Sequence, residues 1–180
     1  MELVEGMKTR RSIRKFKQDT VSHETVEKIL ETAAIVPSWK NSQTAGYVVV
    51  ENRALLEQIA KEATLGFTHN EEIILGCAAL VVMTAVANRC GYEKDGSYTT
   101  SKKDKWEMFD AGIAAQTFML AAHEQGVGSV VLGIFDEDKV SEILNLPEDK
   151  HVSCLIPIGY PDETPAMPKK RTVEELVVYK

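Results

Sequence analysis

A chain of 180 residues with 44% hydrophobic and 27% charged residues has the balance of a globular protein with one core, so a single domain over 1–180 is expected. Its formal net charge of −6 argues against sequence-independent binding to nucleic acid, which depends on many Lys and Arg contacts to phosphates. No apolar run reaches the roughly 18 residues that span a membrane, and the acidic stretch Glu2-Leu3-Val4-Glu5 is unlike a secretory signal.

In chain order, Glu2 to Lys8 reads as a short helix, followed by a basic run from Thr9 to Phe16. Ser22 to Ile35 reads as an amphipathic helix, with Ser22 as N-cap and Val26, Ile29, Leu30 and Ala33 at helical spacing. Pro37 follows as a stop signal. Gly46 to Glu51 reads as a strand and Arg53 to Ala63 as a helix. Ala78 to Val86, apolar and β-branched, reads as a buried strand. Asn88 to Lys105 is polar and reads as a long loop or lid.

Trp106 to Gln125 is apolar nearly all round, the pattern of a helix buried in a core or a subunit interface, and Gly126 fits its C-terminal cap. Gly128 to Gly133 reads as a short strand, Asp136 to Leu144 as a helix capped by Asp136, and Val152 to Gly159 as a strand. Pro161 to Arg171 is extended, and Val173 to Tyr179 is expected to form a last strand. Helices with four or five strands indicate an α+β or mixed α/β fold. The three cysteines, Cys77, Cys90 and Cys154, are odd in number and form no CxxC pair, which fits reduced thiols in a cytoplasmic protein.

Several chemistries lack their motifs. There is no HExxH, no Cys/His cluster at metal spacing, no GxSxG elbow and no P-loop lysine. Gly126-Val127-Gly128-Ser129 follows a helix and precedes a strand, the reverse of the order that a dinucleotide fingerprint needs.

Four segments carry positive signals. Arg10-Arg11-Ser12-Ile13-Arg14 sets three guanidiniums and a hydroxyl within five residues, suited to a monophosphate; from these residues alone a solvated turn or helix C-terminal charges are the plainer reading. Pro37-Ser38-Trp39-Lys40-Asn41-Ser42-Gln43 offers an aromatic ring with amides and hydroxyls for the edge of a heteroaromatic ring, or is an ordinary polar loop. Gly133 ends an apolar strand, where a backbone approaches a flat ligand closely or simply turns. Pro168-Lys169-Lys170-Arg171 is a second basic cluster, either convergent with the first or separate from it.

Together and in this order, these segments resemble the FMN-dependent nitroreductase family. Asp110-Ala111-Gly112-Ile113-Ala114-Ala115-Gln116, leading to Gly126-Val127-Gly128-Ser129, resembles the family's central helix and the strand after it. The resemblance implies an α+β fold, a mixed β-sheet flanked by helices, in an intertwined homodimer with two FMN sites lined by both subunits. By carry-over, Arg10, Ser12, Lys169 and Arg171 hold the phosphate and ribityl end. The backbone of Arg11 lies near the flavin, and Arg14 sits by the N1/C2=O edge, where charge tunes the ring. Pro37, Ser38, Asn41 and Gln43 reach the flavin from the partner subunit. Leu132 and Gly133 lie near the N5/O4 edge, and Asn70 aligns with a further flavin contact. The implied chemistry is ping-pong transfer from NADH or NADPH to a small-molecule acceptor such as a nitroaromatic or a quinone, with no catalytic side chain and no metal.

The chain departs from larger members in its short segment at Asn88–Lys105 and in Ile73, which stands where some members carry a lysine. Tyr92, Tyr98 and Trp106 either shape the pocket mouth or anchor that segment to the core. Other readings are a specialised reaction (reductive dehalogenation, flavin fragmentation or enoate reduction), a flavin-binding redox sensor with little turnover, and a nucleotide-binding partner module without flavin.

Overall fold

Strands β1 (Ala45–Val50), β2 (Ala79–Val86), β3 (Gly128–Ser129) and β4 (Lys150–Gly159) form one sheet in the order β1-β2-β4-β3. The computed structural model describes residues 2–180. All three strand pairs are antiparallel, and the parallel element that makes the sheet mixed is a bridge between Ser12 and Ser129. Helices α1 (Leu3–Thr9), α2 (His23–Ala33), α3 (Arg53–Glu62), α4 (Thr68–Gly76), α5 (Lys105–Glu124), α6 (Glu137–Leu144) and α7 (Val173–Leu176) complete the chain, giving the expected α+β class.

Side chains alternate across a strand, and both faces of β2 are covered, which is why this strand reads as a continuous apolar run. Leu80 and Val82 join Leu56, Ile59, Ile74 and Val140 in a core under α3, α4 and α6. Val81 and Met83 join Ile29, Ala114 and Phe118 in a second core under α2 and α5. Met83 pairs with Cys154 but Thr84 pairs with Val152, so Ser153 is the extra residue of a β-bulge. The bulge sends Val152 into the first core and Cys154 into the second.

The caps read from the sequence are present. The Ser22 hydroxyl accepts from Thr25 N–H at 3.2 Å, and Asp136 accepts from Lys139 N–H at 3.0 Å. Three elements differ from expectation. Val173–Tyr179 is not a strand: Val173–Leu176 forms α7, started by Glu175, whose carboxylate accepts from Thr172 N–H at 2.8 Å. A Thr-x-x-Glu capping box outweighs the β-branched valines there. The strand from Gly128 stops at Ser129, and only Leu132 pairs again, through a bridge to Leu155. Helix α4 was not anticipated, because it has no side-chain N-cap and its apolar residues follow no clear stripe.

Candidate functional site

The basic segment leaves α1 and crosses the edge of the sheet. Ile13 N–H donates to Ser129 C=O at 3.1 Å, and Lys17 N–H donates to Tyr160 C=O at 2.9 Å. Two glycines permit this close approach. A Cβ on Gly128 would stand 2.9 Å from Ile13, and one on Gly159 would stand 2.9 Å from Phe16. Ile13 and Phe16 are thereby buried while Arg14 and Lys15 stay exposed.

The three arginines play different parts. The Arg11 guanidinium donates to Lys8 C=O at 2.6 Å and to Arg10 C=O at 2.8 Å, so it caps the end of α1. Arg10 Nη1 and Arg11 Nε are buried without a hydrogen-bond partner among the described residues. Burial first, and then the adjacent Arg11 charge, hold Arg10 below the usual guanidinium pKa. A buried cationic donor beside a like charge is costly, and an anion placed there relieves both penalties.

Arg10, Arg11, Ser12, Arg14 and Lys170 line a cavity of about 350 Å3 against residues 165–168. The two basic clusters therefore do converge, through Lys170. Lys169 and Arg171 are exposed, and the Arg171 guanidinium donates to Glu175 C=O at the end of α7. Arg14 also lines an adjoining cavity of about 320 Å3, beside Ile73 and His69. One side chain thus separates a cationic hollow from one with a partly apolar floor.

Asn70 is buried on α4, and its amide donates to Ile134 C=O at 2.9 Å. It fastens the turn that carries Gly133. Leu132 exchanges both backbone hydrogen bonds with Leu155, at 2.8 and 3.2 Å. Gly133 beside it is exposed, and a Cβ there would meet nothing within 4 Å. No crowding within this chain requires glycine at that position.

Pro37, Ser38 and Gln43 line a different cavity, of about 310 Å3, between α2, α5 and β1. Within one chain they do not meet the arginines. Their turn is held in an unusual shape, with Lys40, Asn41 and Gln43 at φ of 45°, 54° and 48°. Gln43 N–H donates to the Ser38 hydroxyl at 2.9 Å, and Trp39 N–H donates to the buried carboxylate of Asp110 at 2.7 Å. Pro37, Asn41 and Gln43 remain exposed.

The expected lid is a set of tied turns. Glu93 N–H donates to Ser97 C=O at 2.8 Å, and the Tyr92 and Tyr98 rings lie 4.8 Å apart. Trp106 bonds Thr100 Oγ1 at 2.8 Å and packs on Trp39 at 4.8 Å, an anchoring role. Cys90 donates its thiol to Asp110 at 3.1 Å; burial, then this bond and the carboxylate's charge, push its pKa up to about 12. It is thus a neutral donor. Lys40 pairs with Glu93 at 2.8 Å, so the lid is also tied to the Pro37–Gln43 turn.

Two functional-looking groups escaped the sequence reading. Asp110 is legible only as part of the central-helix motif, with nothing local to show that it binds Trp39 and Cys90. Glu163 accepts from Arg14 N–H at 2.5 Å and Lys15 N–H at 3.2 Å. No spacing rule links residues so far apart in sequence. Among the described residues, no group of three or more His, Cys, Asp or Glu is placed to hold a metal, and no helix is long and apolar enough to cross a membrane.

The family model for the nitroreductase family matches residues 7–160. The chain belongs to the nitroreductase family. A protein of Methanothermobacter thermautotrophicus, provisionally named NADH dehydrogenase/NAD(P)H nitroreductase, is 33% identical over 92% of this chain and 80% of its own length. The structure of an FMN-dependent nitroreductase from Clostridium difficile R20291 is 28% identical, with a TM-score of 0.73, over 96% of this chain and 94% of that one. An iodotyrosine deiodinase of Haliscomenobacter hydrossis is 27% identical over 99% of this chain and 89% of its own length.

Proposed function

We propose that this nitroreductase-family chain binds FMN and uses NADH or NADPH to reduce nitroaromatic, quinone or related electrophilic acceptors. The observation that carries the reading is a pair of buried guanidinium nitrogens, on Arg10 and Arg11, without a partner among the described residues, at a cationic cavity in a member of a family with an FMN-dependent relative. FMN, when bound, would supply the redox chemistry, a hydride relay between the nicotinamide and the acceptor.

The chain's residues bind and orient. Arg10, with Ser12 and Lys170 nearby, takes the phosphate end, and Lys169 and Arg171 extend the positive field around it. Arg14, which lines both cavities, would hold the N1/C2=O edge, and the Arg11 backbone would lie near the ring. Gly133 would offer backbone to the N5/O4 edge, and its turn is steadied by Leu132 and by the bond from Asn70 to Ile134. Ile73 leaves the adjoining cavity without the cation that some members carry there.

Pro37, Ser38, Asn41 and Gln43 complete the site from a second copy, which makes the protein a homodimer. Three features support this. The turn is exposed and lines a cavity separate from the arginines. Helix α5 exposes Met108 and Phe109, each 57% accessible. The C-terminal Val178 and Tyr179 are largely uncovered. Large exposed apolar side chains in this number mark an interaction surface.

Titration of the purified chain with FMN, followed by quenching of flavin fluorescence, tests the cofactor. Stoichiometric quenching that weakens at high salt supports the phosphate contact. A chain that leaves FMN fluorescence unchanged contradicts it. Reductive dehalogenation is the second reading, favoured by similarity to an iodotyrosine deiodinase along nearly the whole chain. Halide release from a halogenated phenol under reducing conditions separates the two.

A further inference from the structure

The backbone of residues 13–17 is fixed by two sets of hydrogen bonds. Ile13 and Lys17 donate their N–H groups to the sheet edge at Ser129 and Tyr160. Between them, Arg14 and Lys15 donate theirs to a single oxygen, Glu163 Oε1, at 2.5 and 3.2 Å. Asp162 N–H returns a bond to Lys15 C=O at 3.0 Å. Bonds from N–H to a carboxylate are roughly twice as strong as neutral ones, so the side chain of Glu163 is the strongest tie on this stretch. It lies in the tail beyond residue 160, where the family match ends.

We propose that Glu163 is a positioning residue for the flavin ring: it fixes the backbone of Arg14 and so aims that guanidinium at the N1/C2=O edge. The inference rests on the proposed FMN function. Arg14 is exposed, and among the described residues its guanidinium has only a long 3.4 Å contact to Ser12 C=O. Its direction therefore depends on its backbone, and Glu163 holds that backbone through the N–H groups of Arg14 and Lys15.

The flavin midpoint potential tests this, because the sign of the shift separates two roles. Removing a nearby negative charge by itself favours the reduced, more anionic ring and shifts the potential positively. Loosening Arg14 withdraws a positive charge from the ring and shifts the potential negatively. The account predicts a negative shift in Glu163→Ala that disappears in an Arg14→Ala background. Glu163→Gln keeps an uncharged acceptor and a similar shape, and gives a smaller shift of the same sign. It carries the test if the alanine variant does not fold. A positive shift, no shift, or an equal shift in both backgrounds overturns the proposal while FMN binding stands. Wild-type protein that does not quench FMN fluorescence overturns the functional reading, and this inference with it.

Discussion

Replacing Arg10 with Met separates a ligand contact from a structural one. In the free protein Arg10 is half-buried, and its Nη1 has no partner among the described residues. It therefore carries a desolvation penalty that no internal bond offsets, and a Met of similar length removes that penalty. Stability of the free protein should stay level or rise. Binding should suffer, because a hydrogen bond involving a charged group is worth about 1.5–3 kcal/mol. That corresponds to a dissociation constant for FMN raised by about 10- to 150-fold. The assay is fluorescence titration with FMN and, in parallel, with riboflavin, which lacks the phosphate. Riboflavin affinity should be nearly unchanged in Arg10→Met. Equal losses for both flavins, or no loss for FMN, refute the assignment of Arg10 to the phosphate.

Asp110→Ala strands Trp39 N–H and the Cys90 thiol, so urea denaturation should show a loss of roughly 2–4 kcal/mol, with unchanged stability refuting the tie. Gly128→Ala places a methyl 2.9 Å from Ile13; overpacking of this kind costs about 1–3 kcal/mol and should weaken FMN binding as the arginine segment lifts. The bond to Glu107, then its charge, raises the pKa of His151 above 6.5. A raised histidine pKa gives stability that is full below pH 6.5 and lost as the pH rises through the folded-state value. With half of the His151 side chain accessible, the effect is small. Melting temperatures across that range should fall less with pH in His151→Ala than in the wild type.

Local chemistry was legible wherever a single segment decides the outcome. Ser22 and Asp136 cap their helices as their positions predict, and the run at β2 announces a strand covered on both faces. What escaped depends on competition or on distance. Val173 to Tyr179 has strand-like residues, but Glu175 nucleates a helical turn. Arg11 joins the cluster by sequence yet spends its guanidinium on the end of α1, as the plainer reading of a helix C-terminus allowed. The sequence left open whether the Arg10 and Pro168 clusters converge or stand apart. It did not show that Lys170 is the side chain that closes the cavity, because that depends on the path of an extended tail pinned by Glu163. Asp110 could not be read as a tie between turn and lid, since its partners lie 71 and 20 residues away.

The visible absorption spectrum of FMN-reconstituted protein, recorded anaerobically before and after adding NADH or NADPH, bears most directly on the central claim. The account predicts bound-flavin bands that bleach with at least one nucleotide and return when a nitroaromatic or quinone is added. Flavin bands that neither nucleotide bleaches, or protein that takes up no flavin, would contradict it.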